Sequence, residues 1–168
     1  MRVNELIAHL EEDIEILVND WQCTNENETN NELNEFWYDI TKNIGAAEKI
    51  VISFLRSSAI TNSHKFRIAG YVDEIFVETP IFETFVSFKN SVNKGLGQTD
   101  DLYKKLAPTF IQITNYEKEE IRRYYTTQLY KVCSKKFRDV LISQNDTNSP
   151  LKIYFGEEMG ELNEIGEI

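Results

Sequence analysis

A chain of 168 residues with 41% hydrophobic residues is long enough to bury a core without metal or disulfide staples. Its two cysteines, Cys23 and Cys133, have no Cys-x-x-Cys or Cys/His context and read as ordinary thiols. The formal net charge of −10 belongs to the first forty residues, where eleven acids accompany the single base Arg2. Residues 41–155 carry seventeen bases against twelve acids, and 156–168 carry five acids and no base. No apolar run approaches the ~18 residues of a membrane span, and the N-terminus has no secretory pattern, so one soluble, cytoplasmic domain is expected.

Val3, Ile7, Leu10, Ile14, Leu17 and Trp21 recur at alternating steps of four and three, which predicts a helix over 3–22 with one apolar seam. Leu33, Trp37, Ile40, Ile44, Ala47, Val51 and Phe54 repeat in the same way, widened by Phe36 and Leu55, and predict a second helix. Its Gly45 costs about 1 kcal/mol against alanine. The stretch from Gln22 to Glu32 is nearly all Asn, Thr and Glu and reads as the connection of a helical hairpin.

After the break at Thr61-Asn62-Ser63, the residues Ile68, Tyr71, Val72, Ile75 and Phe76 predict a third helix over 65–78. Thr79-Pro80 reads as a capping residue followed by proline at the first helical position. It predicts a fourth helix over 80–93 that buries Ile81, Phe82, Phe85, Val86 and Val92 and is stopped by Gly95 and Gly97. Thr99-Asp100-Asp101 opens a short fifth turn through Leu106, and Phe110–Ile113 is too brief to classify.

Thr114 with Glu117 three positions later is a capping box. Ile121, Tyr125, Leu129, Val132, Cys133, Phe137 and Val140 then follow at helical spacing, predicting a long helix over 115–143. Gln144–Pro150 is a loop by composition, and Leu151–Phe155 is a short extended segment with no strand expected to pair with it. Residues 156–168 read as a flexible acidic tail. The expected fold is all-α: a single-domain bundle of five or six helices over 1–155, starting with a long helical hairpin, with a short extended C-terminal segment.

Chemical motifs are sparse. Glu5, His9, Glu12 and Asp13 could be taken for a metal or acid–base cluster on the first helix, but Glu5, His9, Glu12 and Ile16 centre on the side opposite the Val3–Trp21 seam, which faces water, so no metal site is expected. There is no Glu-x-x-His pair, no Gly-x-Ser-x-Gly elbow and no phosphate-binding glycine loop. No cofactor and no enzymatic activity are expected. The segment from Arg122 to Arg138 interleaves bases with aromatics, a pattern that suits nucleic acid. Lys131, Lys135 and Arg138, however, lie opposite the core stripe, and the acidic N-terminal block repels phosphate, so direct nucleic-acid binding is disfavoured. These three bases are instead candidates for docking the acidic tail or an anion.

A dense carboxylate face attracts a basic surface and accelerates its association. Glu5, Glu12, Asp13, Glu15, Asp20, Glu26 and Glu28 are therefore the candidate partner-binding residues. The expected function is that of a non-enzymatic acidic protein that neutralises or regulates a basic protein, a nuclease or toxin being the class that fits, in the manner of an immunity, antidote or anti-defence inhibitor. No membrane partner is expected, and a homodimer is left open.

Two alternatives stand beside it. Arg56-Ser57-Ser58-Ala59-Ile60 and Gly70-Tyr71-Val72-Asp73-Glu74 resemble stretches of the helical HEPN ribonuclease and nucleotide-binding domains, whose nucleases carry Arg, four to six residues, then His. The candidate pair here is Arg56 and His64, with seven residues between them. The resemblance implies a helical ribonuclease or a degenerate relative. The other alternative is a sensory or regulatory helical module that holds a small apolar ligand among its ten Phe and eight Tyr.

Overall fold

A computed structural model describes the backbone of residues 2–144 and 150–167, and the side chains there except those at 35–39, 41 and 144. The chain runs α1 (Arg2–Thr24), α2 (Glu26–Thr41), a 3-10 turn (Ile44–Ala46), β1 (Lys49–Phe54), α3 (Arg56–Ile60), β2 (Lys65–Tyr71), β3 (Phe82–Ser87), α4 (Lys89–Leu96), α5 (Thr99–Leu106), α6 (Asn115–Gln144), β4 (Lys152–Glu157) and β5 (Leu162–Glu167). Five strands form one mixed sheet in the order β3-β2-β1-β4-β5. The fold is therefore α/β, and the expected all-α bundle is wrong.

By its internal contacts the chain divides into two compact units, residues 1–28 with 90–132 and residues 29–89 with 133–168. The first unit is helical. Leu6, Leu10, Ile14, Val18 and Trp21 form the buried stripe of α1, close to the expected seam but rotated so that Leu6 and Val18 replace Val3, Ile7 and Leu17 at its centre. Trp21 Nε1 donates to Ser91 O at 2.7 Å, and the buried Tyr125 hydroxyl donates to Gly95 O at 3.2 Å. Burial pushes the Tyr125 pKa up to about 12. Gly95 lies inside α4, and neither it nor Gly97 is a left-handed stop, since no glycine has a positive φ; a Cβ at Gly95 would stand 2.8 Å from Leu129 Cδ1 and 3.0 Å from Trp21 Cδ1. Its role is close approach.

The α6 N-terminus realises the capping box: Glu117 N donates to Thr114 Oγ1 at 3.2 Å, and Thr114 N donates to Glu117 Oε2 at 2.7 Å. Arg2 closes the same corner, with Nε 3.2 Å from Glu117 Oε1 and Nη2 donating to Ile111 O and Gln112 O.

The second unit holds the sheet. Strands β1, β2 and β3 form an antiparallel meander, β1 pairs in parallel with β4, and β4 with β5 makes an antiparallel hairpin. One sheet face presents Ile50, Ile52, Phe66, Ile68, Val86, Ile153 and Phe155, all buried. The Arg138 stem of α6 packs against Gly166 beside them. The other face buries Val51, Ala69 and Tyr71 beneath Ile75 and Phe76 of the 72–81 segment, with Tyr154 and Leu162 alongside.

The corrections share one cause. Ile50-Val51-Ile52 is buried on both sheet faces, so it is apolar throughout and supplies Val51 to a helical repeat by coincidence. β2 is likewise buried on both sides, which disguised its period of two as a helix over 65–78. In β3, Phe82, Thr84, Val86 and then Phe88 alternate along one face. Thr79-Pro80 lies in the preceding irregular segment and does not begin a helix, while Ile81 and Phe85 are 46% exposed rather than core. The Asn/Thr/Glu-rich connection is helical from Glu26, anchored by buried Thr29, Glu32 and Leu33. Phe36 and Trp37 of the expected seam have side chains outside the described residues, as do residues 145–149 of the expected loop. The segment after Gly156 is not an unstructured tail in secondary structure: it completes β4 and forms β5, because β1 offers Leu151–Phe155 the strand partner that the sequence did not reveal.

Candidate interaction surface

The outward side of α1 follows from its buried stripe. With Leu6, Leu10, Ile14, Val18 and Trp21 turned inward, 100° per residue places Glu5, Glu12, Glu15 and Asp20 on the other side, and all four are exposed. Glu11, which the sequence reading passed over, is exposed beside them. Among the described residues none of these five carboxylates has a hydrogen-bond or ion-pair partner. Glu26, at the start of α2, is also exposed and has no partner among the described residues.

Two of the seven expected partner-binding acids behave differently. Asp13 is ion-paired with Lys105 of α5, and Glu28 with Lys94 of α4. The first unit thus neutralises the carboxylates that turn toward its own body and leaves those of the outer face uncompensated. Ile16 is 52% exposed and stands one turn from both Glu12 and Asp20, giving the acidic face an apolar point. His9 meets the edge of Phe110, ring centroids 5.4 Å apart, and takes no part in a metal cluster. No group of three or more His, Cys, Asp or Glu able to hold a metal occurs among the described residues.

The bases expected to dock an anion or the tail divide as well. Arg138 reaches β5 by donating from Nη1 to Ile165 O at 3.2 Å, while its Nη2 lies 2.6 Å from Asp139 Oδ1. Lys131 and Lys135 are exposed on the same helix. Two of the five C-terminal acids pair elsewhere: Glu164 with Lys152 at 3.4 Å, and Glu158 with Arg67 at 3.0 Å.

That last contact belongs to a cluster the sequence reading missed. Arg67 of β2 bridges Glu83 of β3 at 2.8 Å and Glu158, its Nη1 also donates to Tyr71 Oη at 3.3 Å, and Ser53 Oγ donates to Glu158. Burial alone would lower the Arg67 pKa, but the Tyr71, Glu83 and Glu158 contacts outweigh it and raise it, holding the guanidinium charged. Its members are spread from position 53 to 158, so no spacing signal could have found them. Every charge in the cluster has a partner, and it ties β1, β2, β3 and the β4–β5 turn together.

A shallow hollow is lined by Lys49, Asp73, Glu74, Val77 and Glu78, a charged rather than aromatic wall. Arg56 begins α3, and His64 is fully buried between α3 and β2, so both sit in the β1–β2 connection of a sheet; the helical fold implied by the HEPN resemblance is not present. No described helix is long and apolar enough to cross a membrane. No protein-family model matches the chain, and comparison with curated proteins and with solved structures finds no match in either.

Proposed function

We propose that this chain is a non-enzymatic acidic binding protein that neutralises or regulates a basic protein partner, of the immunity, antidote or anti-defence type, through the outer face of α1. One observation carries the reading: Glu5, Glu11, Glu12, Glu15 and Asp20 stand exposed on one helix with no partner among the described residues, while Asp13 and Glu28 nearby are neutralised from within. Like charges crowded on one helix disfavour the isolated fold slightly, by a few tenths of a kcal/mol per pair. An opposed basic surface removes that repulsion and is steered in by the same field. Ile16 gives such a partner an apolar contact inside a charged rim.

The test uses two variants of equal net charge and poly-lysine as the basic probe. In one, Glu5, Glu12 and Glu15 become Gln and Asp20 becomes Asn. In the other, Glu74, Glu161 and Glu167 become Gln and Asp100 becomes Asn. The α1 variant is expected to lose at least about tenfold in affinity, and the control far less, with the wild-type affinity falling steeply as salt rises. Equal losses in both variants would reduce the effect to net charge and defeat the proposal.

A further inference from the structure

The two edges of the sheet are finished differently. At the β5 edge an extra residue, Ile165, bulges between the paired positions Glu164 and Gly166, and its carbonyl is taken by the Arg138 guanidinium at 3.2 Å. Glu167 adds negative charge at its end and Glu161 just before it, while Glu164 is paired with Lys152. Bulges, charges and covered backbone groups are the devices by which natural sheets refuse a further strand.

The β3 edge is less protected. It contains no lysine, proline or bulge over Phe82–Ser87, and its one charge, Glu83, is ion-paired at 2.8 Å with Arg67, a cation it shares with Glu158. Phe88 N donates to His64 O, which sets the antiparallel hydrogen-bonding alternation: the backbone groups of Phe82, Thr84 and Val86 face β2, and those of Glu83 and Phe85 face away. On the outer side of this edge Ile81 and Phe85 are each 46% exposed.

We infer that β3 pairs antiparallel with β3 of a second copy of this chain, joining two five-stranded sheets edge to edge. The sequence of the strand selects both occupant and register. Pairing centred on Phe85 sets the two Phe85 rings opposite each other and places Glu83 opposite Ser87 of the other copy, so no like charges meet; centring on Glu83 would oppose two carboxylates. With Glu83 ion-paired to Arg67 and no other charge in the strand, little uncompensated charge stands at the edge itself, which permits this approach between chains that each carry a net charge of −10. Because the β5 edge is blocked, the assembly closes at two copies.

Sedimentation of the full chain from about 10 µM to about 1 mM checks this directly, a range that brackets a modest interface. The wild type is expected to pass from monomer to dimer. Phe85→Lys, which sets two lysines face to face at a half-exposed position, is expected to weaken association by about tenfold or more while leaving circular dichroism unchanged. Hydrogen exchange of the wild type supplies a reading that needs no variant: the amides of Glu83 and Phe85 slow as concentration rises. A monomer throughout the range, exchange at Glu83 and Phe85 independent of concentration, a dimer of undiminished affinity in Phe85→Lys, or growth beyond two copies would each overturn the inference. It stands apart from the role proposed for α1, whose charge-matched variants leave β3 untouched.

Discussion

Glu117 shows how one residue can set a local structure and make it sensitive to pH. Its carboxylate accepts from the Thr114 backbone N–H and then from the Thr114 hydroxyl, and the nearby Arg2 cation adds to these; together they outweigh desolvation and hold its pKa below the ordinary carboxylate range. A depressed pKa means that the ionised form supports the fold. That support is present above the unfolded-state pKa of about 4.3 and is lost as pH falls through the lower folded value. Thr114→Ala should therefore cost about 1 kcal/mol at neutral pH through the lost cap. Urea unfolding of Glu117→Gln should show a midpoint below the wild type at pH 7 that converges with it in acid. A gap that stays constant with pH would mean the carboxylate charge plays no part.

At the scale of elements, the β4–β5 hairpin decides the sheet, since β4 supplies the parallel partner of β1. Gly156 is its tight point: a Cβ there would stand 2.1 Å from the backbone oxygen of Glu161, which cannot swing aside as a side chain could. Gly156→Ala is expected to destabilise the protein by about 3 kcal/mol, at the upper end of overpacking costs. The loss should appear as a fall in thermal midpoint, and an unchanged midpoint would contradict the packing described.

Elements with one exposed side were readable before the structure. The α1 seam separated Leu10 and Trp21 from Glu5 and Glu12 because water lies on one side of it, and Thr114 with Glu117 announced α6 because capping is local in sequence. Strands buried on both faces erase the alternation that would identify them, as in Ile50-Val51-Ile52 and Phe66–Tyr71. Pairing across the chain was equally hidden. Asp13 and Lys105 lie 92 residues apart, and nothing in either neighbourhood distinguished Asp13 from Glu12, which has no partner among the described residues.

For the whole molecule the governing fact is where charge remains uncompensated. Of the five C-terminal acids, Glu158 and Glu164 are spent on Arg67 and Lys152, so the C-terminal block is partly an internal matter of the sheet. The α1 block is not: Glu5, Glu12, Glu15 and Asp20 on its outer face, and the exposed Glu11 beside them, meet no cation among the described residues. A binding protein that works by charge should show this difference when a basic ligand is offered to the intact chain. The most direct measurement is a residue-resolved NMR titration of the full protein with a short lysine oligomer at low ionic strength, repeated at high salt. The account predicts amide shifts gathered between Glu5 and Asp20, centred near Ile16, and abolished by salt; shifts gathered instead at 157–167, or spread evenly over every exposed acid, would contradict it.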